Sequence, residues 1–66
     1  MNIEQRFLQK AVTDKNYISF TYNNKKLQKV KPLKLIKKED KYLIQTQSDV
    51  YEFDKMSKIK ILKERF

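Results

Sequence analysis

Lysine dominates the residues that could do chemistry in this chain. Eight lysines lie between positions 25 and 41: Lys25, Lys26, Lys29, Lys31, Lys34, Lys37, Lys38 and Lys41. Only Glu39 and Asp40 oppose them, so that stretch holds +6 of the chain's net +8. An ammonium group is a compact point charge with three donors. A cluster of such groups suits phosphate oxygens, and it positions a backbone without reading bases. Aromatic faces lie beside the cluster at Tyr22, Tyr42 and Tyr51. A base stacked on such a ring is worth about 1–3 kcal/mol. Tyr22 and Tyr51 fall on apolar strand parities, which favours the core with the hydroxyl at the rim. Tyr42 adjoins Lys41 and is the better placed to stack. Lys29, Lys31, Lys38, Lys41 and Tyr42 are therefore candidate contacts to nucleic acid or to nucleotide-like anions. No helix carries the cluster, so a single strand suits it better than a duplex read through the major groove. The plainer alternative is a solvated lysine surface that keeps a small protein soluble.

Catalysis fits poorly. The chain has no histidine, cysteine or glycine. That removes the commonest general base, thiolate chemistry and any Gly-rich phosphate loop. Glu52 with Asp54, or Asp40 with a neighbour, could pair carboxylates, but no apolar segment backs either pair. We expect no enzyme, no metal and no cofactor. No run is apolar enough to span a bilayer or act as a signal peptide, so we expect no membrane partner and a cytoplasmic, prokaryotic or phage setting.

These side chains must be positioned by a small scaffold. A chain of 66 residues makes one domain and buries only about 60% of its unfolded surface, so its stability is small. Residues 2–14 read as a helix with Ile3, Phe7, Leu8, Ala11 and Val12 on one face. Asn2 and Gln5 have capping-box spacing, and Lys15-Asn16 can close the helix, with Asn taking the left-handed conformation. Strands follow at about 17–22, 27–37, 41–47, 50–54 and 59–63, separated by Asn23-Asn24, Lys38–Asp40, Ser48-Asp49 and a corner at 55–57. Without glycine, Asn and Asp must take the positive-φ turn positions. The second strand changes parity: Val30 falls on one face, while Leu33 and Leu35 fall on the parity of Lys31. Pro32 sits at the slip, which requires a bend or bulge there. A bend with Val30, Leu33 and Leu35 all buried is how a short sheet curls into a barrel.

The segments Ile18-Ser19-Phe20-Thr21-Tyr22, Val30-Lys31-Pro32-Leu33, Lys41-Tyr42-Leu43 and Tyr51-Glu52-Phe53-Asp54-Lys55-Met56 occur in this order over about fifty residues. In that order and spacing the chain resembles a WYL domain, the small β-rich sensor module of bacterial transcription regulators. Lys41 stands in place of the signature Trp, Glu52 in place of a basic residue, and Lys55 in place of an Arg. The resemblance implies a mainly β fold over 1–66: an Sm-like, five-stranded, bent antiparallel barrel with an N-terminal helix. It also implies a ligand-sensing function in transcription regulation, several relatives resembling nucleic-acid binders. In such barrels the second-to-third and fourth-to-fifth strand connections are neighbours. That would bring Lys55 and Lys58 near Lys37, Lys38 and Lys41, and adds Lys55 and Lys58 to the candidate site.

The sequence shows no helix-turn-helix segment. The expectation is a free-standing sensor, a subunit or an excised module, with a homo-oligomer or a protein that carries the DNA-binding domain as its partner. A rival expectation is a protein-interaction or oligomerisation module that adds strands at its first and last edges, aided by Ile59, Ile61 and Leu62.

Overall fold

The computed structural model describes residues 2–66. Helix α1 spans Ile3–Asp14 and opens with the expected capping box. The Gln5 backbone N–H donates to Asn2 Oδ1 at 2.8 Å, and the Asn2 N–H donates to Gln5 Oε1 at 2.9 Å. Lys15, not Asn16, takes the left-handed cap with φ 59°. Asn16 instead begins the first strand and donates from Nδ2 to the Leu62 carbonyl at 3.1 Å. The buried helix face is Gln5, Leu8 and Ala11. Ile3 and Phe7, expected on that face, are 67% and 52% exposed. The helix lies across β1, β3 and β6 with Leu8 inward, and that orientation turns Ile3 and Phe7 away from the core.

Six antiparallel strands follow: β1 Asn16–Tyr22, β2 Lys25–Val30, β3 Pro32–Lys38, β4 Lys41–Thr46, β5 Val50–Glu52 and β6 Met56–Arg65. A 3₁₀ turn at Phe53–Lys55 makes the corner before β6. The strands form two three-stranded sheets, in order β2-β1-β6 (sheet A) and β3-β4-β5 (sheet B). The expected long second strand is thus two strands, divided at Lys31, and each half belongs to a different sheet. The sheets do not close into a barrel.

The parity slip at Pro32 is real, but it resolves differently from the expectation. Pro32 pairs with Thr46 while Lys34 pairs with Gln45, so one residue of β3 has no counterpart on β4. That residue is Leu33. It points outward, 46% exposed, and Pro32 fills the core position. A missing N–H is harmless in an apolar core, and the inserted residue absorbs the change of face. The Lys31 N–H at the bend donates to Gln47 Oε1 at 2.9 Å.

Ile18 and Phe20 of β1, Val30 of β2, Ile44 of β4, Phe53, Met56 and the helix residues Leu8 and Ala11 form the core. Aromatic contacts tie the sheets together across it. Phe20 and Tyr22 of sheet A meet Tyr51 of sheet B at ring separations of 5.1 and 4.9 Å, both edge-on. The Glu52 N–H donates to Tyr22 Oη at 3.2 Å. Tyr22 and Tyr51 are half-buried and belong to this packing. Among the described residues no helix is long and apolar enough to cross a membrane.

Candidate functional site

The outward face of sheet A is concave, and its sequence explains why. The central strand β1 presents small polar side chains there, Ser19 and Thr21. Their partners across the sheet are long: Ser19 faces Lys60 on β6, and Thr21 faces Lys26 on β2. Both flanking strands also bulge opposite the middle of β1. On β2 three residues separate Val30 from Leu27 where β1 advances only two, from Ile18 to Phe20. On β6 the same mismatch occurs between Lys60 and Ser57, opposite Ser19 to Thr21. Each bulge contains a lysine with positive φ, Lys29 at 51° and Lys58 at 52°. A bulge bends its strand and re-aims side chains. The result is a trough of about 750 Å³ with Ser19 and Thr21 on its floor and Lys26, Lys29, Lys58 and Lys60 along its sides.

Four lysines meet one carboxylate in this trough. Lys29 Nζ lies 2.9 Å from Glu64, and both side chains are mostly exposed. The Glu64 hydrogen bond and charge hold the Lys29 ammonium above its usual pKa range. Among the described residues Lys26, Lys58 and Lys60 make no ion pair.

Sheet B carries a second basic face of different character. Lys41 Nζ lies 3.4 Å from Glu52, and Lys55 Nζ lies 2.9 Å from the same carboxylate. Lys55, first, and Lys41 beside it hold Glu52 below the usual carboxylate range, and Glu52 in turn raises Lys55. Lys41, Glu52 and Lys55 thus form a single linked triad. Lys38 lies opposite Lys41 across the turn that joins β3 to β4. Tyr42 is half-buried against the core, with Lys37 Nζ 5.9 Å from its ring centre.

The seven candidate residues therefore do not gather in one place. Lys38, Lys41, Tyr42 and Lys55 belong to sheet B and its corner. Lys29 and Lys58 line the trough on sheet A. Lys31 stands at the bend between the sheets, its Nζ 5.8 Å from the ring centre of Phe66. The expected approach of Lys41 to Lys55 occurs through Glu52, whereas Lys58 lies with Lys26, Lys29 and Lys60 instead. Sequence reasoning left out Lys26, Lys60 and Glu64. Their alternation along β2 and β6 is visible in the sequence, but the pairing of both strands with β1 that gathers them is not.

No protein-family model, curated protein or solved structure matches the chain.

Proposed function

We propose that this chain is a non-enzymatic binding module for single-stranded nucleic acid or nucleotide-like anions, a cytoplasmic sensor of the WYL kind. The observation that carries the reading is the trough on sheet A, where four lysines surround hydroxyl groups and a single carboxylate opposes them. Phosphate oxygens are acceptors only, and every lysine and hydroxyl there can donate. The strand order supports the Sm-like reading: β6-β1-β2 runs through the bend at Lys31 into β3-β4-β5, as one bent five-stranded sheet would if its second strand were broken. With two basic faces and no helix offered to a groove, a DNA-binding partner would supply any operator recognition.

Titration of a short fluorescein-labelled random oligonucleotide, followed by anisotropy, tests the reading. Four phosphate contacts give a slope of log K against log salt of roughly −3, at about −0.7 per phosphate for single strands. Absence of binding at low ionic strength removes nucleic acid as the ligand.

One observation favours the rival module for protein contact. Phe7, Ile59 and Ile61, with Glu4, line an apolar cleft of about 340 Å³ between α1 and β6. Among the described residues β6 pairs only with β1, so its other edge has no strand beside it. Concentration-dependent sedimentation together with no oligonucleotide binding is the outcome that reading requires.

A further inference from the structure

We infer that the trough on sheet A, rather than the face of sheet B that carries Lys38, Lys41 and Lys55, seats the phosphodiester backbone of a single strand, and that Glu64 competes with that backbone for Lys29. The inference rests on the nucleic-acid reading and assigns it a site.

Charge distinguishes the two faces first. On sheet B one carboxylate, Glu52, already engages both Lys41 and Lys55. A phosphate arriving there must displace a counter-ion held by two ammonium groups. In the trough Lys26, Lys58 and Lys60 have no counter-ion among the described residues. The Lys29–Glu64 pair joins two exposed side chains, and such pairs are weak and readily broken.

Shape points the same way. Lysines on β2 and β6 form two rails on either side of β1. Adjacent strands lie about 4.8 Å apart, so the rails stand roughly 10 Å apart. The floor between them is low because Ser19 and Thr21 are small. Asn24 and Gln28 add amide donors at the β2 side. An extended chain of phosphates lying along β1 would meet ammonium groups on both flanks and hydroxyl donors beneath. Of the residues that line the trough only Phe20 is aromatic, and it is 1% exposed. Backbone contact without base stacking follows, and with it tolerance of sequence.

Two charge-neutralising variants separate the faces. Glu64→Gln releases Lys29, and Glu52→Gln releases Lys41 and Lys55, with the same change of net charge. Asp14→Asn, on the helix beside Lys10, controls for that change. Oligonucleotide affinity should rise roughly two- to five-fold in Glu64→Gln, the scale of one exposed ion pair. Glu52→Gln should match the Asp14→Asn control. The double variant Lys26→Gln, Lys60→Gln should flatten the salt slope by about 1.4, at 0.7 per phosphate. An abasic oligomer of equal length should bind about as well as the base-bearing one.

Tighter binding by Glu52→Gln with none by Glu64→Gln moves the site to sheet B and overturns the inference, while nucleic-acid binding stands. A loss of about tenfold or more with the abasic oligomer shows base stacking and overturns the backbone assignment. If the wild-type protein fails to bind at all, the nucleic-acid reading falls and the inference with it. All the substituted side chains are exposed or half-exposed, and melting curves verify folding. Should the lysine double variant unfold, the Glu64 and Glu52 variants still decide between the faces.

Discussion

A lysine in the left-handed conformation closes α1, and the reason is the absence of glycine. Six non-glycine residues have positive φ: Lys15, Asn23, Asn24, Lys29, Glu39 and Lys58. Asn23 and Asn24, at 52° and 64°, make the two-residue turn between β1 and β2, and Asn tolerates that geometry. Lysine and glutamate gain no such relief, and each costs about 1 kcal/mol or more. Lys15 is exposed and makes no ion pair among the described residues. Lys15→Gly should therefore stabilise the domain by about 0.5 kcal/mol, once the greater freedom of glycine in the unfolded chain is set against the relieved strain. In a domain of this size that raises the melting temperature by roughly 2–4 °C. A lower melting temperature in calorimetry would show that the lysine stem packs on something that outweighs the strain. At Lys29 and Lys58 the same strain shapes the trough, so left-handed lysines there combine a bend with a charge.

At the scale of elements, the decisive feature is the break between β2 and β3. It turns the one expected long strand into strands of two sheets and lets Pro32 and Ile44 be buried along with Ile18 and Phe20. Leu33 is the residue that absorbs the mismatch. Being outside, it contributes little: Leu33→Ser should change stability by no more than about 0.5 kcal/mol, as at ordinary surface positions. Ile44, paired with Leu35 on the neighbouring strand and 0% exposed, is the contrasting case. Ile44→Ala should cost about 2–5 kcal/mol, a large part of the whole for a domain this small. Urea titration of the two variants distinguishes them. Equal losses would mean that Leu33 is buried in solution and that β3 pairs with β4 without the slip.

The whole molecule carries +8 within a radius of gyration of 10.6 Å. The Debye length at 0.1 M salt is about 10 Å, so at low ionic strength most of its charges act on one another. The four ion pairs are largely exposed and contribute little. Net repulsion dominates, and it destabilises the compact state. Added sodium chloride should therefore raise the melting temperature while it weakens oligonucleotide binding. Opposite signs of this kind are what the proposed nucleic-acid reading requires. A melting temperature that falls with salt would show instead that the ion pairs at Glu52 and Glu64 outweigh the repulsion.

Local features were legible in the sequence because they depend on neighbours in the chain. The Asn2–Gln5 capping box, the Asn23-Asn24 turn, the mainly β content, the alternation of β1 and the slip at Pro32 all follow from spacing. The approach of Lys41 to the corner at Lys55 was expected from the resemblance alone, not from spacing, and the acidic link at Glu52 read as a departure rather than as their shared partner. Other features depend on pairings between distant residues. A parity slip demands an extra residue but does not say which one leaves the ladder; packing chose Pro32 for the core and Leu33 for solvent. Helical periodicity marked Ile3 and Phe7 as apolar, but α1 docks through Gln5, Leu8 and Ala11 and leaves them exposed. The lysine run looked like one patch along the chain. The bend at Lys31 divides it between two sheets, and the antiparallel docking of β6 on β1 brings Lys58 and Lys60 to Lys26 and Lys29. Charge and strand pattern were therefore written in the sequence, while the gathering of charges into a trough was decided by tertiary pairing, because strand partners more than thirty residues apart leave no local trace.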